Sequence, residues 1–187
     1  MSTGPTVIIL AAGRGERFLA SGGTTHKLDA LLGEKSVLRH VLDTVQASGL
    51  AWHLIRPEGG TAGMGDSIAL GVRETSDAAG WLILPGDLPL IAAGSLRCVA
   101  SAVGENRVVV PHYQHHKGHP VGFGRAYFQA LSALTGDGGA ARIVNDARFR
   151  GNALDLSLDD RGVMQDVDTR EDLHRLQEQV NGWRSVD

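Results

Sequence analysis

The sequence predicts an α/β fold with a single doubly wound, mostly parallel sheet and helices on both faces. Short apolar segments without alternation, at 7–10 and 81–84, are typical of strands buried on both faces of a parallel sheet. Segments with helical periodicity lie between the strand-like segments, which is the pattern of α/β proteins. Ligands bind beyond the carboxyl ends of the strands in such folds, so we expect the functional residues there.

The elements follow one another along the whole chain. Strand 7–10 is followed by a helix over 36–48, which has one apolar stripe, a cap at Ser36 and a stop at Gly49. Further strands are predicted at 52–55, 81–84, 108–111, 120–124 and 153–156. Further helices are predicted at 66–75, 95–103, 125–134 and 140–147, with a closing helix from about residue 169.

Length and composition narrow the class of protein. A chain of 187 residues is expected to form one domain, spanning 1–187, with a substantial core. The net charge of −3 gives no excess of positive charge, so a nucleic-acid-binding protein is not expected. The sequence has no signal-peptide pattern and no run of membrane-spanning length, so we expect a cytoplasmic protein that binds no membrane. The one cysteine, Cys98, fits a reducing compartment and is expected to be a small, half-buried core residue rather than a nucleophile.

The loop after the first strand has the composition of a polyphosphate-binding loop. Small residues at 11–13 and 15 let a ligand approach the backbone closely, and two arginines add permanent positive charge. An ordinary strand-to-loop turn with solvated arginines is the alternative interpretation. The residues expected to bind a nucleotide here are Leu10, Ala11, Ala12, Gly13, Arg14, Gly15 and Arg17.

Two further charged residues are candidates for phosphate and metal binding. Lys27 follows a glycine-containing insert and can reach a phosphate as a mobile point charge, although such lysines are also common in solvated loops. Asp87 follows strand 81–84 and precedes Leu88-Pro89, a position suited to an Mg²⁺ ligand or to a turn-forming carboxylate. The phosphate-type loop at another strand end favours the metal interpretation.

The segment QDVDTREDL contains carboxylates with two interpretations. Asp168 with Glu171, or Thr169 with Asp172, makes a helix capping box. Either Asp166 or Asp168 could also be a second metal ligand.

A glycine-rich turn leads into the helix predicted at 66–75. Gly65, Asp66 and Ser67 would offer backbone N–H groups and polar side chains to the edge of a ligand. A simple N-cap explains Asp66 and Ser67 equally well, but it does not explain the density of glycines before them.

Four histidines lie between residues 112 and 119. Zinc is one interpretation, because imidazole is a common zinc ligand, but the cluster has no thiolate or carboxylate within it. We favour a cationic loop that binds an anionic second substrate. Lys117 supplies charge, His119 adds to it if protonated, and Pro120 restricts the backbone of His119.

Taken together, these motifs resemble the molybdenum cofactor cytidylyltransferases of the MobA-like NTP transferase superfamily. LAAGRGERF with a downstream Lys27, GMGDS, PGDLP, KGHPVGFGR, GDGGA and DVDTREDL occur in this order over nearly the whole chain. The first motif and GDLP are shared by many nucleotidyltransferases. The combination of GMGDS, GHPV and GDGGA is more specific to the cofactor-modifying branch.

The resemblance implies a fold of the nucleotide-diphospho-sugar transferase type and a role for each motif. The loop at 12–17 would hold the triphosphate and part of the base, Lys27 would contact phosphates in the transition state, and the loop at 63–67 would read the pyrimidine. Asp87 and Asp168 would hold Mg²⁺. The pterin substrate would face Gly118, His119 and Pro120, next to Lys117.

The implied reaction joins CTP and a molybdopterin-type cofactor into a cytosine dinucleotide and releases pyrophosphate. The terminal phosphate of the pterin is already anionic, so catalysis would come from positioning and charge neutralisation, with Arg17, Lys27 and Asp87 as the catalytic residues. A molybdoenzyme that receives the cofactor is the expected protein partner.

Two other functions stay open from the sequence. One is a nucleotidyltransferase that uses GTP, or that acts on a sugar or polyol phosphate. Ala11-Ala12-Gly13 resembles the cytidylyl branch rather than the guanylyl one. The other is a protein that binds or inserts the finished cofactor without turnover, against which the presence of Arg14, Lys27 and Asp87 argues.

Overall fold

The computed structural model describes residues 4–184, and seven of the strands within them form one sheet. The strands are β1 (Thr6–Leu10), β2 (Leu31–Leu32), β3 (Lys35–Ser36), β4 (Ala51–Ile55), β5 (Gly80–Pro85), β6 (Val108–Tyr113), β7 (His116–Lys117), β8 (Val121–Gly124) and β9 (Ala153–Ser157). The sheet has the order β4-β1-β5-β8-β6-β7, with β9 paired to β6, while β2 and β3 form a separate small hairpin.

The sheet is mostly parallel, which confirms the predicted fold class. β1 pairs in parallel with β4 and β5, and β6 pairs in parallel with β9. β8 is antiparallel to both β5 and β6. The chain reverses between β6 and β7 at Gln114 and His115, whose φ angles of 46° and 69° are those that a tight two-residue hairpin turn requires. This reversal brings β8 into the sheet in the opposite direction.

The helices lie between the strands much as the sequence predicts. They are α1 (Glu16–Ala20), α2 (Val37–Ser48), α3 (Met64–Glu74), α4 (Ala93–Ala102), α5 (Phe128–Ser132), α6 (Ala141–Phe149) and α7 (Arg170–Arg184), with 3₁₀ turns at Arg125–Tyr127 and Arg161–Met164. Ser36 caps α2 by accepting a hydrogen bond from Arg39 N–H, and Gly49 ends α2 with a φ of 74°. The helix predicted at 125–134 is instead a 3₁₀ turn followed by the short α5, and α1 was not predicted.

Both faces of the sheet are covered by helices. On one face Val7 packs in a cluster with Val41 of α2, and on the other Ile8 packs with Ile68 of α3, all of them buried. Neighbouring residues of β1 therefore point into two different cores, which explains the apolar run without polar interruptions. The prediction that Cys98 belongs to the core was wrong: Leu96 and Val99 face the core from α4, and Cys98 lies on the exposed side of that helix.

The ends of β1 and β5 lie side by side at one edge of the sheet. Leu10 is in register with Pro85, and Gly86 N–H donates to Leu10 O at 2.8 Å. Beyond this point the two loops separate, and they leave space at the edge where ligands bind in doubly wound folds. Within residues 4–184, none of the helices combines the length and the apolar character that crossing a membrane requires.

Candidate active site

A cleft of about 570 Å³ opens at the carboxyl ends of β1 and β5. The segments around it come from the first loop, the Lys27 region, the turn before α3, the end of β5 and two later loops. Its lining residues are 10–17, 26–28, 61–64, 67, 85–87, 137 and 168. The cleft thus brings together the predicted phosphate loop, Lys27 and both predicted metal ligands.

The predicted phosphate loop forms one side of the cleft. Gly15 precedes α1 with a φ of 65°, a conformation that favours glycine, and its carbonyl accepts a hydrogen bond from Leu19 N–H. A Cβ added at Gly13 would meet nothing within 4 Å, so the backbone is open to a ligand there. The side chains of Arg14 and Arg17 are 78% and 80% exposed. Both guanidinium groups are therefore accessible to an anion.

A group of four alternating charges lies in the cleft, and we call it the Lys27 cluster (Arg17, Lys27, Asp87 and Asp168). Lys27 Nζ lies 2.9 Å from Asp87 Oδ2 and 3.7 Å from Asp168 Oδ1. Arg17 Nη1 lies 2.8 Å from Asp168 Oδ2. The side chains of Lys27 and Asp87 are each only 16% exposed, so their ion pair is the better shielded from water.

Asp168 is placed by the turn that leads into α7. Val167 N–H donates to Asp87 O at 2.9 Å, which fastens this turn to the loop after β5. The carboxylate of Asp172 accepts from Asp168 N–H and from Thr169 N–H, and Asp172 N–H donates to Thr169 Oγ1. The capping box predicted from Thr169 and Asp172 is therefore present, and it holds Asp168 at its edge.

The pKa values of two carboxyl groups, Asp168 in the cluster and Asp166 close to it, are shifted in opposite directions. The hydrogen bond from Arg17, followed by the nearby charge of Lys27, lowers the pKa of Asp168. Burial raises the pKa of Asp166, and repulsion by Asp87 adds to that rise. Asp168 is accordingly held as a carboxylate, whereas the environment of Asp166 disfavours its charged form.

The glycines at the start of α3 allow its backbone to lie close to the 135–137 loop. Gly65 N–H donates to Gly136 O at 2.8 Å, and Asp66 Oδ2 accepts from Gly136 N–H at 3.0 Å. A Cβ at Gly63 would lie 2.5 Å from Gly136 O, and one at Gly65 would lie 2.7 Å from Thr135 O. Gly65 and Asp66 thus face the 135–137 loop and do not line the cleft, so their role in nucleotide binding stays a prediction.

Ser67 does line the cleft, together with two residues that the sequence reasoning missed. Ser67 Oγ lies 2.6 Å from Thr61 Oγ1, and both hydroxyl groups also contact Gly63 O. Asp137, from the GDGGA motif, joins them at the cleft wall. Both missed residues lie in glycine-rich segments, and Asp137 also belongs to the GDGGA motif of the family resemblance, but neither residue was singled out.

The loop predicted to bind the acceptor lies outside the cleft lining. Gly118 N–H donates to Pro111 O, His119 N–H donates to Val163 O, and a Cβ at Gly118 would lie 2.5 Å from Val163 O. The hydrogen bond from Arg148 is the main cause that lowers the pKa of Asp155, and the charge of Lys117 makes a small further contribution. The binding of an acceptor by Lys117, Gly118, His119 and Pro120 stays a prediction.

The expectation that His119 could supply positive charge needs correction. Burial lowers the pKa of His119, and the opposing attraction of Asp87 is the smaller effect. The imidazole is therefore neutral at neutral pH, and its Nδ1 is buried without a hydrogen-bond partner among the described residues. His112, another member of the histidine-rich segment, lies 3.7 Å from Asp155.

Residues 4–184 contain no group of three or more His, Cys, Asp or Glu side chains arranged to hold a metal ion. The zinc interpretation of the histidines therefore gains no support from the fold. Asp87 and Asp168 are two carboxylates linked through one lysine, and carboxylate oxygens are ligands that Mg²⁺ prefers. This donor set suits an ion that takes its other ligands from water and substrate phosphates.

Comparisons with known proteins agree with the fold. A family model described as the MobA-like NTP transferase domain matches residues 47–152. The crystal structure of Rv0371c from Mycobacterium tuberculosis H37Rv covers 95% of the chain and 99% of its own length, with 26% identity and a TM-score of 0.75. A further structure of Rv0371c is a complex with manganese.

Two more distant likenesses complete the comparison. A nucleotidyl transferase from Methanothermobacter thermautotroptrophicus, Mth528, has a TM-score of 0.80 at 17% identity, over 95% of the chain and 98% of its own. The bifunctional protein GlmU from Janthinobacterium sp. (strain Marseille) is 26% identical over 181 residues, which is 84% of the chain. The chain spans 37% of the length of GlmU.

Proposed function

The chain belongs to the MobA-like NTP transferase family, and from this premise we propose that it transfers CMP from CTP to the terminal phosphate of a molybdopterin-type cofactor. The single observation that carries the proposal of nucleotidyl transfer is the Lys27 cluster beside the glycine loop. Two cations and two carboxylates meet in a cleft large enough for a nucleotide.

The exposed backbone and cations of the first loop suit a triphosphate. Arg14 and Arg17 project from a loop whose glycines leave the backbone accessible, and Lys27, from the segment that packs against this loop, adds a third cation. One guanidinium group can donate two parallel hydrogen bonds to the oxygens of a phosphate, whereas a lysine ammonium acts as a mobile point charge. Lys27 can therefore exchange its carboxylate partners for a phosphate when a nucleotide enters the cleft.

Asp87 and Asp168 are the residues that we propose to hold Mg²⁺. The manganese complex of Rv0371c supports a divalent-cation site in a related fold. When bound, the ion would neutralise the charge that develops on the phosphate oxygens. Asp168 is held in its charged form by Arg17 and Lys27, which keeps it ready to act as a ligand.

The transfer step follows from the charges of the substrates. A terminal phosphate oxygen of the acceptor attacks the α-phosphorus of CTP and forms a new P–O bond. The bond from the α-phosphorus to the bridging oxygen breaks, and pyrophosphate leaves with that oxygen. The attacking oxygen is already anionic, so no side chain needs to remove a proton, and Lys27 and Arg17 act by positioning and charge neutralisation.

The choice of CTP and of a molybdopterin-type acceptor is supported by the motifs GMGDS, GHPV and GDGGA taken together. The uncharged hydroxyl groups of Thr61 and Ser67, at the wall of the cleft, suit a base or ribose better than a triphosphate. Burial lowers the pKa of His119 and the nearby charge of Asp87 opposes that fall, so the 117–120 loop lies within electrostatic range of a proposed metal ligand, which supports an acceptor that approaches from this loop. A molybdoenzyme that receives the dinucleotide is the partner that this function implies.

The proposal is tested by supplying the acceptor with CTP, GTP, ATP or UTP in Mg²⁺ and measuring pyrophosphate release and the dinucleotide product. We expect CTP to have the highest kcat/KM, by about 100-fold over GTP, because a polar pocket matched to one base leaves its groups unpaired with another. Comparable values for CTP and GTP would contradict the base choice. Tight binding of the finished cofactor without pyrophosphate release from any nucleotide would indicate a carrier protein instead.

A further inference from the structure

His26 makes a hydrogen bond with each of its ring nitrogens, and each bond leads to a different part of the cleft. Its Nε2 lies 2.5 Å from the carbonyl oxygen of Gly13, in the phosphate loop. Its Nδ1 accepts a hydrogen bond from Leu28 N–H at 3.1 Å. One imidazole ring therefore joins the phosphate loop to the chain segment that carries Lys27.

The two partners fix which ring nitrogen of His26 donates a hydrogen bond and which accepts one. A backbone N–H can only donate, so Nδ1 must present a lone pair to Leu28. A carbonyl oxygen can only accept, so Nε2 must carry the proton that it donates to Gly13. In this arrangement Nε2 of His26 is the donor to Gly13 and Nδ1 is the acceptor from Leu28.

The bond to Gly13 orients the loop. The carbonyl of Gly13 and the N–H of Arg14 belong to one planar trans peptide group, so fixing the first also fixes the direction of the second. A Cβ added at Gly15 would lie 3.5 Å from His26 Nε2 and from Lys27 N, which shows how closely the loop sits on this segment. Without the imidazole, the glycines of the loop would leave the backbone free to adopt many conformations.

We propose that His26 is a positioning residue that holds the phosphate loop in the conformation that binds the triphosphate. This inference rests on the proposed nucleotide-binding function of the cleft. His26 lowers the conformational entropy that the loop must lose when the nucleotide binds, because the peptide between Gly13 and Arg14 is already oriented. It also keeps that loop in a constant position relative to Lys27.

The first measurement is the affinity of the full chain for CTP with Mg²⁺, by calorimetry. We expect His26→Ala to weaken binding by about tenfold through lost preorganisation. His40→Ala is the matched control, because His40 Nε2 also bonds a backbone carbonyl, that of Leu32, but lies outside the cleft lining. We expect His40→Ala to leave the affinity within about twofold of wild type. Equal affinity of His26→Ala and wild type would overturn the inference.

Two conservative variants separate a positioning role from a general structural one. The amide nitrogen of His26→Gln can replace Nε2 as the donor to Gly13, whereas the amide oxygen of His26→Asn can replace only the acceptor for Leu28. We expect His26→Gln to recover most of the affinity for CTP and His26→Asn to recover little. Recovery by His26→Asn alone would overturn the role of the Gly13 bond.

We call the two hydrogen bonds of His26, to Gly13 O and from Leu28 N–H, the clamp. Amide hydrogen exchange in the ligand-free protein tests the clamp independently of any nucleotide. We expect His26→Ala to speed exchange at Leu28 and at residues 13–15, and His40→Ala to leave these amides unchanged. Unchanged exchange in His26→Ala would overturn the clamp itself. If wild type binds none of the four nucleotides but the exchange result is as expected, the proposed function fails and the clamp stands.

Discussion

Lys27 has the central position in the candidate active site, because its ammonium group lies between two carboxylates that would otherwise repel each other. Asp87 and Asp168 are the proposed metal ligands, and in the ligand-free protein Lys27 forms ion pairs with both of them, while Arg17 also pairs with Asp168. A lysine can leave such a site at moderate cost, since its charge is compact and its stem flexible. The arrangement therefore couples metal binding to nucleotide binding: phosphates draw Lys27 away, and the carboxylates become available.

Replacement of Lys27 by methionine tests this coupling. Lys27→Met keeps the length of the side chain but removes the charge, so we expect the ligand-free protein to bind Mg²⁺ more tightly than wild type. Transfer should fall by about 100-fold or more, because a cation that stabilises the transition state is lost. Calorimetry with Mg²⁺ alone and steady-state kinetics measure the two effects.

Lys35→Met is the control for that experiment, because Lys35 pairs with Asp43 at 2.8 Å and more than half of its side chain is exposed. Loss of an exposed pair of this kind should change neither Mg²⁺ affinity nor turnover measurably. Unchanged Mg²⁺ affinity in Lys27→Met would contradict the coupling.

At the level of elements, α3 and the 135–137 loop depend on a close backbone contact. Gly65→Ala would place a Cβ 2.7 Å from Thr135 O, so the loop must move away and take Asp137 with it. We expect a loss of about 1–3 kcal/mol in the free energy of unfolding, measured with urea.

Gly182→Ala supplies the matched control within α7, where a Cβ would meet nothing within 4 Å. This variant should gain stability, by about 0.5–1 kcal/mol, because alanine favours a helix over glycine. If Gly65→Ala is as stable as wild type, the contact with the 135–137 loop does not constrain this position.

The loop between β7 and β8 is the element that we assign to the acceptor. His119 is neutral at neutral pH, so it would contribute to acceptor binding by shape and hydrogen bonding and not by charge. We expect His119→Ala to raise the KM for the acceptor several-fold while the Kd for CTP with Mg²⁺ stays within about twofold of wild type. Kinetics with varied acceptor and calorimetry with CTP distinguish the two.

His116→Ala, on the exposed strand β7 of the same loop region, is the control for His119 and should leave both constants unchanged. A large loss of CTP affinity in His119→Ala, with normal acceptor kinetics, would place the loop on the nucleotide side.

For the whole molecule, the sequence was most informative where the physical cause is local. The apolar run of β1 predicts burial on both faces, Ser36 predicts the start of α2, and the Thr169–Asp172 pair predicts the start of α7. These features depend on residues that lie within a few positions of one another in the sequence. The direction of β8 was not predicted, because it depends on a two-residue turn at Gln114 and His115 that has no characteristic glycine.

The arrangement of the candidate active site could not be predicted from the sequence, because it depends on contacts between residues that are far apart in the chain. Arg17 and Asp168 are 151 positions apart, and Lys27 and Asp87 are 60 apart, so only the folded chain brings the four side chains into one cluster. Separate sequence motifs predicted each of the four as a functional residue, but not that their side chains are in contact. His26 could not be found from the sequence, because its importance lies in two backbone partners that only the fold places on either side of its ring.

The central claim is that the cleft at the ends of β1 and β5 is the catalytic centre of a nucleotidyltransferase. Asp87→Asn tests it most directly, because the change keeps the size of the side chain but removes the charge that would hold Mg²⁺ and pair with Lys27. The matched control is Asp77→Asn, an exposed carboxylate outside the cleft lining. The measurement is pyrophosphate release from CTP with acceptor at saturating Mg²⁺. We predict a fall of at least about 100-fold for Asp87→Asn with an unchanged fold, and wild-type rates for Asp77→Asn. A near-wild-type rate in Asp87→Asn would contradict the account.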